Sequence, residues 1–237
     1  MKNEEQMDID ELKKKAQKES LEDAFCRLVL RNISIRITRY LVRTRIAPNQ
    51  ITILSFVLGV LAAICFAMRE YAYLLAGAIL VVLSVIFDLV DGEVARVKSL
   101  TSLLGAWLDP LLDMVRTGLL FLGIAIGLQT AANYIFVWII SYLAFFGLLV
   151  ENYSSAKQLE AYGKHELLRV KGSSGGVVRT LYENLYGLGS ITLSVSIGAV
   201  LNQLLVASML LAVASNLDWI SKFAWYYMRQ KKGKDEA

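Results

Sequence analysis

Long apolar segments occupy most of this chain and limit it to few architectures. Between residues 51 and 227 they follow one another, separated by polar stretches. A helix of about 20 apolar residues crosses a bilayer core, and it pairs its own backbone polar groups in lipid. Hydrophobic residues make up 56% of the chain and the mean hydropathy is +0.49, far above an ordinary soluble domain. The sequence therefore predicts an all-α membrane protein.

We predict six transmembrane helices, preceded by an amphipathic juxtamembrane helix. The last apolar stretch is too long for one span, so we divide it near Asn202 and Gln203. The second span is expected to continue as a helix beyond residue 90. The predicted spans are 51–68, 71–90, 103–128, 131–150 and two within 185–227.

The residues before the first span differ in character from the rest. The first twenty are polar and charged, which favours a solvated segment. The next stretch combines an apolar stripe with many arginines, a pattern typical of a helix in the membrane interface. The predicted organisation is a polar segment 1–20, an interfacial helix 21–47, a six-helix transmembrane domain 48–228 and a charged tail 229–237.

Lysine and arginine predict the orientation. They concentrate before residue 50, between the second and third spans, in the polar stretch 152–184 and at the C-terminal end. Only Arg69 falls in a connection on the opposite side. Because cytoplasmic connections of membrane proteins are enriched in these residues, we expect both termini and the ends of spans two and three to face the cytoplasm.

Four aspartates lie at the ends of the second and third spans. Asp88 and Asp91 are three residues apart, and Asp109 and Asp113 are four apart. These spacings place each pair on one helix face. The short connection makes the two helices antiparallel neighbours, so the pairs can face a shared site. Ionisable groups at membrane depth are costly and mark function.

The chemistry of such a site is restricted. Four close carboxylates repel one another unless some are protonated or cations are bound. Oxygen ligands favour Mg²⁺ or Mn²⁺ over zinc, and the single histidine, His165, excludes a polyhistidine site. Two divalent ions would balance four carboxylates and could also grip a diphosphate, as in phosphoryl transfer.

The residues around the aspartates match a known signature. The pattern D-x-x-D-G-x-x-A-R, eight residues, then G-x-x-x-D-x-x-x-D resembles that of the CDP-alcohol phosphotransferase family. All eight positions are filled, by Asp88, Asp91, Gly92, Ala95, Arg96, Gly105, Asp109 and Asp113. The resemblance implies an enzyme of phospholipid biosynthesis in which an alcohol hydroxyl attacks the β-phosphorus of a CDP-linked alcohol and CMP leaves. It also implies six transmembrane helices and a homodimer.

The resemblance assigns roles to individual residues. It implies that Asp88, Asp91, Asp109 and Asp113 form the metal site, and that Asp113 is also the general base. The residues implied to line the cytidine-diphosphate site are Gly92, Ala95, Arg96, Gly105, Asn49 and Thr52. From the residues alone, the small ones could equally serve close helix packing, and Arg96 could mark the cytoplasmic helix end.

The acceptor alcohol is left open. Inositol phosphate and glycerol phosphate are candidates, with Arg116, Lys157 and Arg179 as candidate contacts. The expected donor is a CDP-linked lipid, CDP-diacylglycerol or an ether equivalent, and nucleic acid is not expected as a partner. One alternative is transfer from CDP-choline or CDP-ethanolamine to diacylglycerol. Another is a cation transporter, although no internal repeat of the kind common in transporters is visible.

Overall fold

The computed structural model describes residues 9–17, 23–129, 134–173 and 188–235. Within these ranges the secondary structure is helical and contains no strand. A π-helical turn, Cys26–Leu30, leads directly into α2. The α-helices are α1 (Ile9–Ala16), α2 (Arg31–Leu41), α3 (Pro48–Met68), α4 (Tyr71–Val97), α5 (Leu103–Leu128), α6 (Tyr134–Ser173), α7 (Leu188–Val200) and α8 (Leu204–Asp235).

Five helices of the described chain are long and apolar enough to cross a membrane. They are α3, α4, α5, the part of α6 at Tyr134–Gln158 and the part of α8 at Leu204–Ala224. Helix α7 is apolar but has only 13 residues. Five predicted spans therefore have helices of spanning length. The break predicted near Asn202 separates α7 from α8, and Asn202 has a left-handed backbone with φ 54°.

Local sequence explains where the site-bearing helices begin. Pro48 is the first residue of α3, where its missing N–H has no partner to lose, and the Gln50 side chain accepts a hydrogen bond of 2.9 Å from the Ala47 N–H. Ser102 caps α5 by accepting from the Gly105 N–H at 3.0 Å. Only residues 98–102 separate α4 from α5. Both helices pack against α3 rather than closely against each other.

Glycines allow the apolar helices to approach closely. Helix α3 packs against α4 and α5. A side-chain carbon at Gly77 of α4 would collide with the ring of Phe66, and one at Gly123 of α5 would collide with the backbone of Ala63. Small residues serve this role where helices pack in a membrane. The resulting core includes buried side chains from α3 to α8.

Two helices extend beyond the predicted segments. The fourth span is predicted to end at residue 150, before the polar stretch 152–184, but α6 continues as a helix to Ser173. The apolar pattern ends near residue 150, whereas residues 156–161, Ala-Lys-Gln-Leu-Glu-Ala, are all strong helix formers. Loss of the apolar pattern marks the end of the predicted span and not of the helix. Helix α8 similarly continues to Asp235.

The N-terminal helices pack on the C-terminal segment of α4, which carries the signature. In α1 the side chains of Leu12 and Ala16 are buried against Ile35 of α2 and Val97 of α4. The polar composition of the first twenty residues did not predict that α1 packs on α2 and α4. Two apolar side chains one helical turn apart are sufficient for this contact. The described residues just before α2 also pack against the rest of the protein, since the first of them, Asp23, is buried.

Asp23 links two helix beginnings. Its carboxylate accepts hydrogen bonds of 2.9 Å from the Cys26 N–H and of 2.9 Å from the Gly189 N–H. The first N–H groups of a helix lack partners within the helix and attract negative charge. Asp23 therefore ties the start of the N-terminal helical segment to the start of α7.

Candidate active site

Three aspartates converge where α4 and α5 face each other. One carboxylate oxygen from each of Asp88, Asp91 and Asp109 lies within 4.8 Å of the other two. We call these residues the aspartate trio. Asp91 is buried, and the other two are partly buried. The predicted meeting of two helix faces thus brings together both α4 carboxylates and the first α5 carboxylate.

The trio leaves buried oxygens without partners. Neither Asp91 Oδ2 nor Asp109 Oδ1 has a hydrogen-bond partner among the residues that the structure describes. Burying a carboxylate oxygen without a donor or cation is costly. Three oxygen donors within this distance suit a hard divalent cation such as Mg²⁺ or Mn²⁺. The residues present therefore fit the divalent metal that the signature implies.

Asp113, the fourth aspartate, makes a different contact. It lies outside the trio, and its Oδ1 pairs with Arg116 Nη2 at 2.7 Å one turn along α5. Arg116 Nη1 lies 3.5 Å from Oδ1 of Asp88. The side chain of Asp113 is 32% exposed, compared with 11% for Asp88. Asp113 is therefore the more accessible of these two carboxylates.

Arg116 donates hydrogen bonds to side chains of α3 and α4. Its Nη1 donates to Ser55 Oγ at 2.9 Å and to Ser84 Oγ at 3.1 Å. Its aliphatic stem occupies the space over Gly59, where any side-chain carbon would collide with it. The guanidinium is consequently fixed by all three helices that form the site.

A cavity of about 170 Å³ opens beside Asp113, between α5, α6 and α7. Its polar lining comes from Asp113 and Thr117 of α5 and from Glu151 and Asn152 of α6. Ile191 of α7 belongs to its apolar lining. The cavity therefore connects an accessible carboxylate with further groups that can bind hydroxyls.

The match to known proteins decides the family. Residues 45–172, which include α3, α4, α5 and most of α6, match the CDP-alcohol phosphatidyltransferase family.

The chain belongs to this family.

Curated relatives are similar to part of the chain. A bifunctional IPC transferase and DIPP synthase of Aquifex aeolicus is 34% identical over 132 residues, which cover 56% of this chain and 29% of that protein. An archaetidylinositol phosphate synthase of Pyrococcus horikoshii is 31% identical over 122 residues, covering 52% of this chain and 60% of that protein. The match thus spans less than two thirds of either relative.

Solved structures extend the similarity to most of the fold. The phosphatidylinositol phosphate synthase of Mycobacterium tuberculosis with CDP-DAG bound has a TM-score of 0.60 and 25% identity, covering 81% of this chain and 92% of that chain. The same enzyme in complex with manganese and citrate has a TM-score of 0.54 and covers 77% of this chain and 83% of that chain. The fold of this chain is therefore similar to that of a synthase that was solved in complex with manganese.

The residues predicted from the family resemblance to bind the nucleotide lie on the helices that carry the trio and on α3. Gly105 faces Asn49, since a side-chain carbon at Gly105 would lie 3.6 Å from Asn49 Oδ1. A carbon at Gly92 would lie 3.1 Å from Nη1 of Arg96, so the guanidinium lies over this glycine. Arg96 Nε also donates to the carbonyl of Ala16, at the end of α1. Their nucleotide-binding role stays a prediction.

The remaining two residues of that set flank the trio on α3 and α4. Thr52 is buried, and its hydroxyl lies beside Asp91. Ala95 lies one turn beyond Asp91 on α4 and is partly buried. Both residues therefore lie next to Asp91 of the trio.

The predicted acceptor contacts are not brought together. Arg116 is buried beneath the aspartates, whereas Lys157 is exposed on α6 and pairs with Glu160 at 2.6 Å. This contact with Lys157 lowers the pKa of the Glu160 carboxyl. Arg179 lies outside the described residues. The role of these three in acceptor binding stays a prediction.

A cluster of three charged side chains that we did not predict adjoins the cavity. Lys222 Nζ lies 2.8 Å from Asp218 Oδ2 and 2.7 Å from Glu151 Oε1, so it joins α8 to α6. Asp218 is 1% exposed and so faces protein, as the cost of placing it against lipid required. Its spacing of four residues from Lys222 was the available signal in the sequence.

Proposed function

We propose that this chain transfers a phosphatidyl-type group from a CDP-linked lipid to an inositol phosphate and releases CMP. The observation that carries the proposal is the aspartate trio, with its unpartnered buried oxygens, in a member of the CDP-alcohol phosphatidyltransferase family. Such a constellation suits a divalent metal and, through it, a diphosphate.

The metal ligands in this proposal are Asp88, Asp91 and Asp109, and we propose two ions of Mg²⁺ or Mn²⁺. When bound, such ions neutralise the diphosphate oxygens of the donor and favour departure of the CMP phosphate. The cytidine diphosphate would lie against the face of α4 that carries Gly92 and against the start of α5. The residues proposed to contact it are Gly92, Ala95, Arg96, Gly105, Asn49 and Thr52.

Asp113 is the proposed general base. Its carboxylate takes the proton from the acceptor hydroxyl as that oxygen forms a bond to the β-phosphorus. The bond between the β-phosphorus and the oxygen that leaves with CMP breaks in the same transfer. A base must lie within hydrogen-bonding reach of the proton it removes. The partial exposure of Asp113 beside the cavity supports this role.

The acceptor is proposed to occupy the cavity beside Asp113. Glu151 and Asn152 can accept and donate hydrogen bonds to the other hydroxyls of a polyol there. The relatives support an inositol phosphate, since those of Pyrococcus horikoshii and Mycobacterium tuberculosis are named for inositol phosphate lipids. Lys157 and Arg179 are the cations proposed to reach the acceptor phosphate.

We also propose the membrane arrangement expected from the sequence. The distribution of positive charges supports six spans, with α7 in the fifth, and it supports a cytoplasmic position for both termini and the site. An N-terminal helix in the interface and a homodimer complete the proposal. The orientation can be tested with single cysteines introduced at the exposed positions Arg39 and Tyr71 and labelled from either side of sealed vesicles. The cysteine at position 39 should react only from the cytoplasmic side, and that at position 71 only from the other.

The deciding experiment measures CMP release by the full chain in lipid nanodiscs. CDP-diacylglycerol is supplied with Mg²⁺ or Mn²⁺, and inositol phosphate, glycerol phosphate, inositol and serine are added one at a time. We expect metal-dependent CMP release with inositol phosphate and a lipid product that contains it. Asp91→Asn should be inactive, whereas Glu70→Gln, an exposed carboxylate at the far end of α4, should match the wild type.

Three outcomes overturn parts of the proposal. CMP release only with glycerol phosphate, inositol or serine replaces the acceptor. Release only from CDP-choline or CDP-ethanolamine with diacylglycerol replaces the donor. Failure of every donor and acceptor pair, with metal binding intact, rejects the proposed activity.

A further inference from the structure

Arg116 occupies a position beneath the aspartates that suits a different role from acceptor contact. We infer that it is a positioning residue which holds Asp113 apart from the metal-binding trio, so that this carboxylate stays available to the acceptor hydroxyl. The base role of Asp113 in this inference rests on the proposed function. The arrangement of the arginine rests on contacts that are independent of that function.

The serines that hold Arg116 can only accept from it. Ser55 Oγ donates its hydrogen to the carbonyl of Ser84 at 2.9 Å, and Ser84 Oγ donates to the carbonyl of Ser55 at 2.8 Å. A hydroxyl has one hydrogen, so both oxygens present only lone pairs to Nη1 of Arg116. The crossing of α3 and α4 thus provides two hydroxyl oxygens that accept hydrogen bonds from the guanidinium.

The space for the arginine is also built into α3. Gly59 lies one turn from Ser55, and a side-chain carbon there would collide with the Arg116 stem. An arginine at this depth is costly unless carboxylates and acceptors surround it. Because two serine oxygens and two carboxylates surround this one, its position is determined by several elements at once.

The ion pairs of Arg116 divide the four carboxylates unequally. The contact to Asp113 is 2.7 Å, and that to Asp88 is 3.5 Å. The oxygens without partners belong instead to Asp91 and Asp109. The guanidinium therefore neutralises the charge of Asp113 most strongly. The oxygens without partners, on Asp91 and Asp109, remain for a metal ion. Without it, Asp113 would be an unpaired carboxylate one turn from Asp109 and could turn to the metal.

The test compares Arg116→Met and Arg116→Lys with wild type in the full chain. Binding of Mn²⁺ to the purified protein is followed by the electron paramagnetic resonance signal of the free ion, without substrate. We expect Arg116→Met to bind Mn²⁺ at least as tightly as wild type, because a positive charge leaves and a carboxylate becomes free. The kcat for transfer should fall about 10- to 100-fold, with KM for the acceptor within threefold.

Conservative replacement separates position from charge. Lysine keeps the charge but cannot reproduce the planar set of donors. Arg116→Lys should therefore recover Mn²⁺ affinity to the wild-type value and recover kcat only in part. Arg36→Met, an exposed arginine on α2, is the matched control and should leave both quantities unchanged.

Other results overturn the inference. A rise in acceptor KM with kcat unchanged would show acceptor contact instead. A tenfold loss of Mn²⁺ affinity in Arg116→Met would show that the arginine supports the ligand Asp88. Should that variant fail to fold, Ser84→Ala removes one acceptor beneath the guanidinium and must show the same fall in kcat with retained Mn²⁺ binding. The Mn²⁺ measurement stands even where no transferase activity is found, so the two proposals fail separately.

Discussion

Glu93 of α4 and Arg31 of α2 form an ion pair of 3.0 Å, with the carboxylate completely buried. The same carboxylate accepts from Ser34 at 2.8 Å and from Thr38 at 2.7 Å. A fourth donor, the Gln17 side chain, lies at 3.1 Å. Glu93 immediately follows the signature residues Asp91 and Gly92. The helix face opposite the aspartates is therefore locked to the N-terminal helices.

Glu93→Ala is expected to destabilise the protein severely. It leaves Arg31 without its partner and removes the acceptor of three further donors. Breaking a buried ion pair from one side costs about 3–5 kcal/mol. Thermal unfolding in detergent measures the effect, with the exposed Glu11→Ala as control. An unchanged midpoint for Glu93→Ala would contradict the packing described for α2.

Asp91→Ala is expected to weaken metal binding. Asp91 is buried and supplies one of the unpartnered oxygens of the trio, so its loss removes a ligand without breaking a hydrogen bond of that atom. A fall in Mn²⁺ affinity of about tenfold or more is expected, measured by titration of the purified protein. Asp218→Ala, which removes a buried aspartate outside the trio, provides a control for burial alone. Equal affinities in Asp91→Ala and wild type would exclude Asp91 as a ligand.

Asp113→Asn is expected to remove most transfer activity while the protein remains folded and binds metal. The amide keeps the shape of the side chain but accepts no proton. General-base catalysis contributes about 10²- to 10⁴-fold, and kcat should fall within this range. Steady-state CMP release measures it, alongside a Mn²⁺ titration. Turnover at the wild-type rate would mean that another group takes the proton.

Gly123→Val is expected to separate α5 from α3. The new side chain would enter the backbone of Ala63, and overpacking of this kind costs about 1–3 kcal/mol or more. Gly118→Ala of the same helix is the matched control, because its added carbon would meet the Phe145 ring at 3.2 Å and a ring can shift. Unfolding midpoints in detergent compare the two. Equal midpoints would show that α3 and α5 are less tightly packed than described.

The parts of the fold that the sequence predicted have repeating local signals. The third span was predicted at 103–128, and α5 covers the same residues. The convergence of Asp88, Asp91 and Asp109 followed from helical spacing and one short connection. These features depend on residues close together in the chain, where helix geometry alone determines which side chains share a face.

The contacts that the sequence did not reveal join distant residues. The orientation of Arg116 depends on Ser55, Gly59 and Ser84, which lie on two other helices. Glu93 has its donors on the N-terminal helices, and no local pattern pairs them. Single polar residues in apolar segments, such as Ser55 and Ser84, were the available signal. Which of them meet is decided by the helix crossing, and this requires the tertiary structure.

The hydrogen bonds of Asp23 have a consequence for biogenesis. The residue that completes them, Gly189, is 166 positions further along the chain. A ribosome adds about 5–20 residues each second, so the N-terminal segment waits many seconds for this partner. The aspartate therefore cannot form its second hydrogen bond until the chain has been made as far as Gly189. We expect chains truncated before α7 to leave the N-terminal segment open to proteases during synthesis, whereas the finished protein protects it.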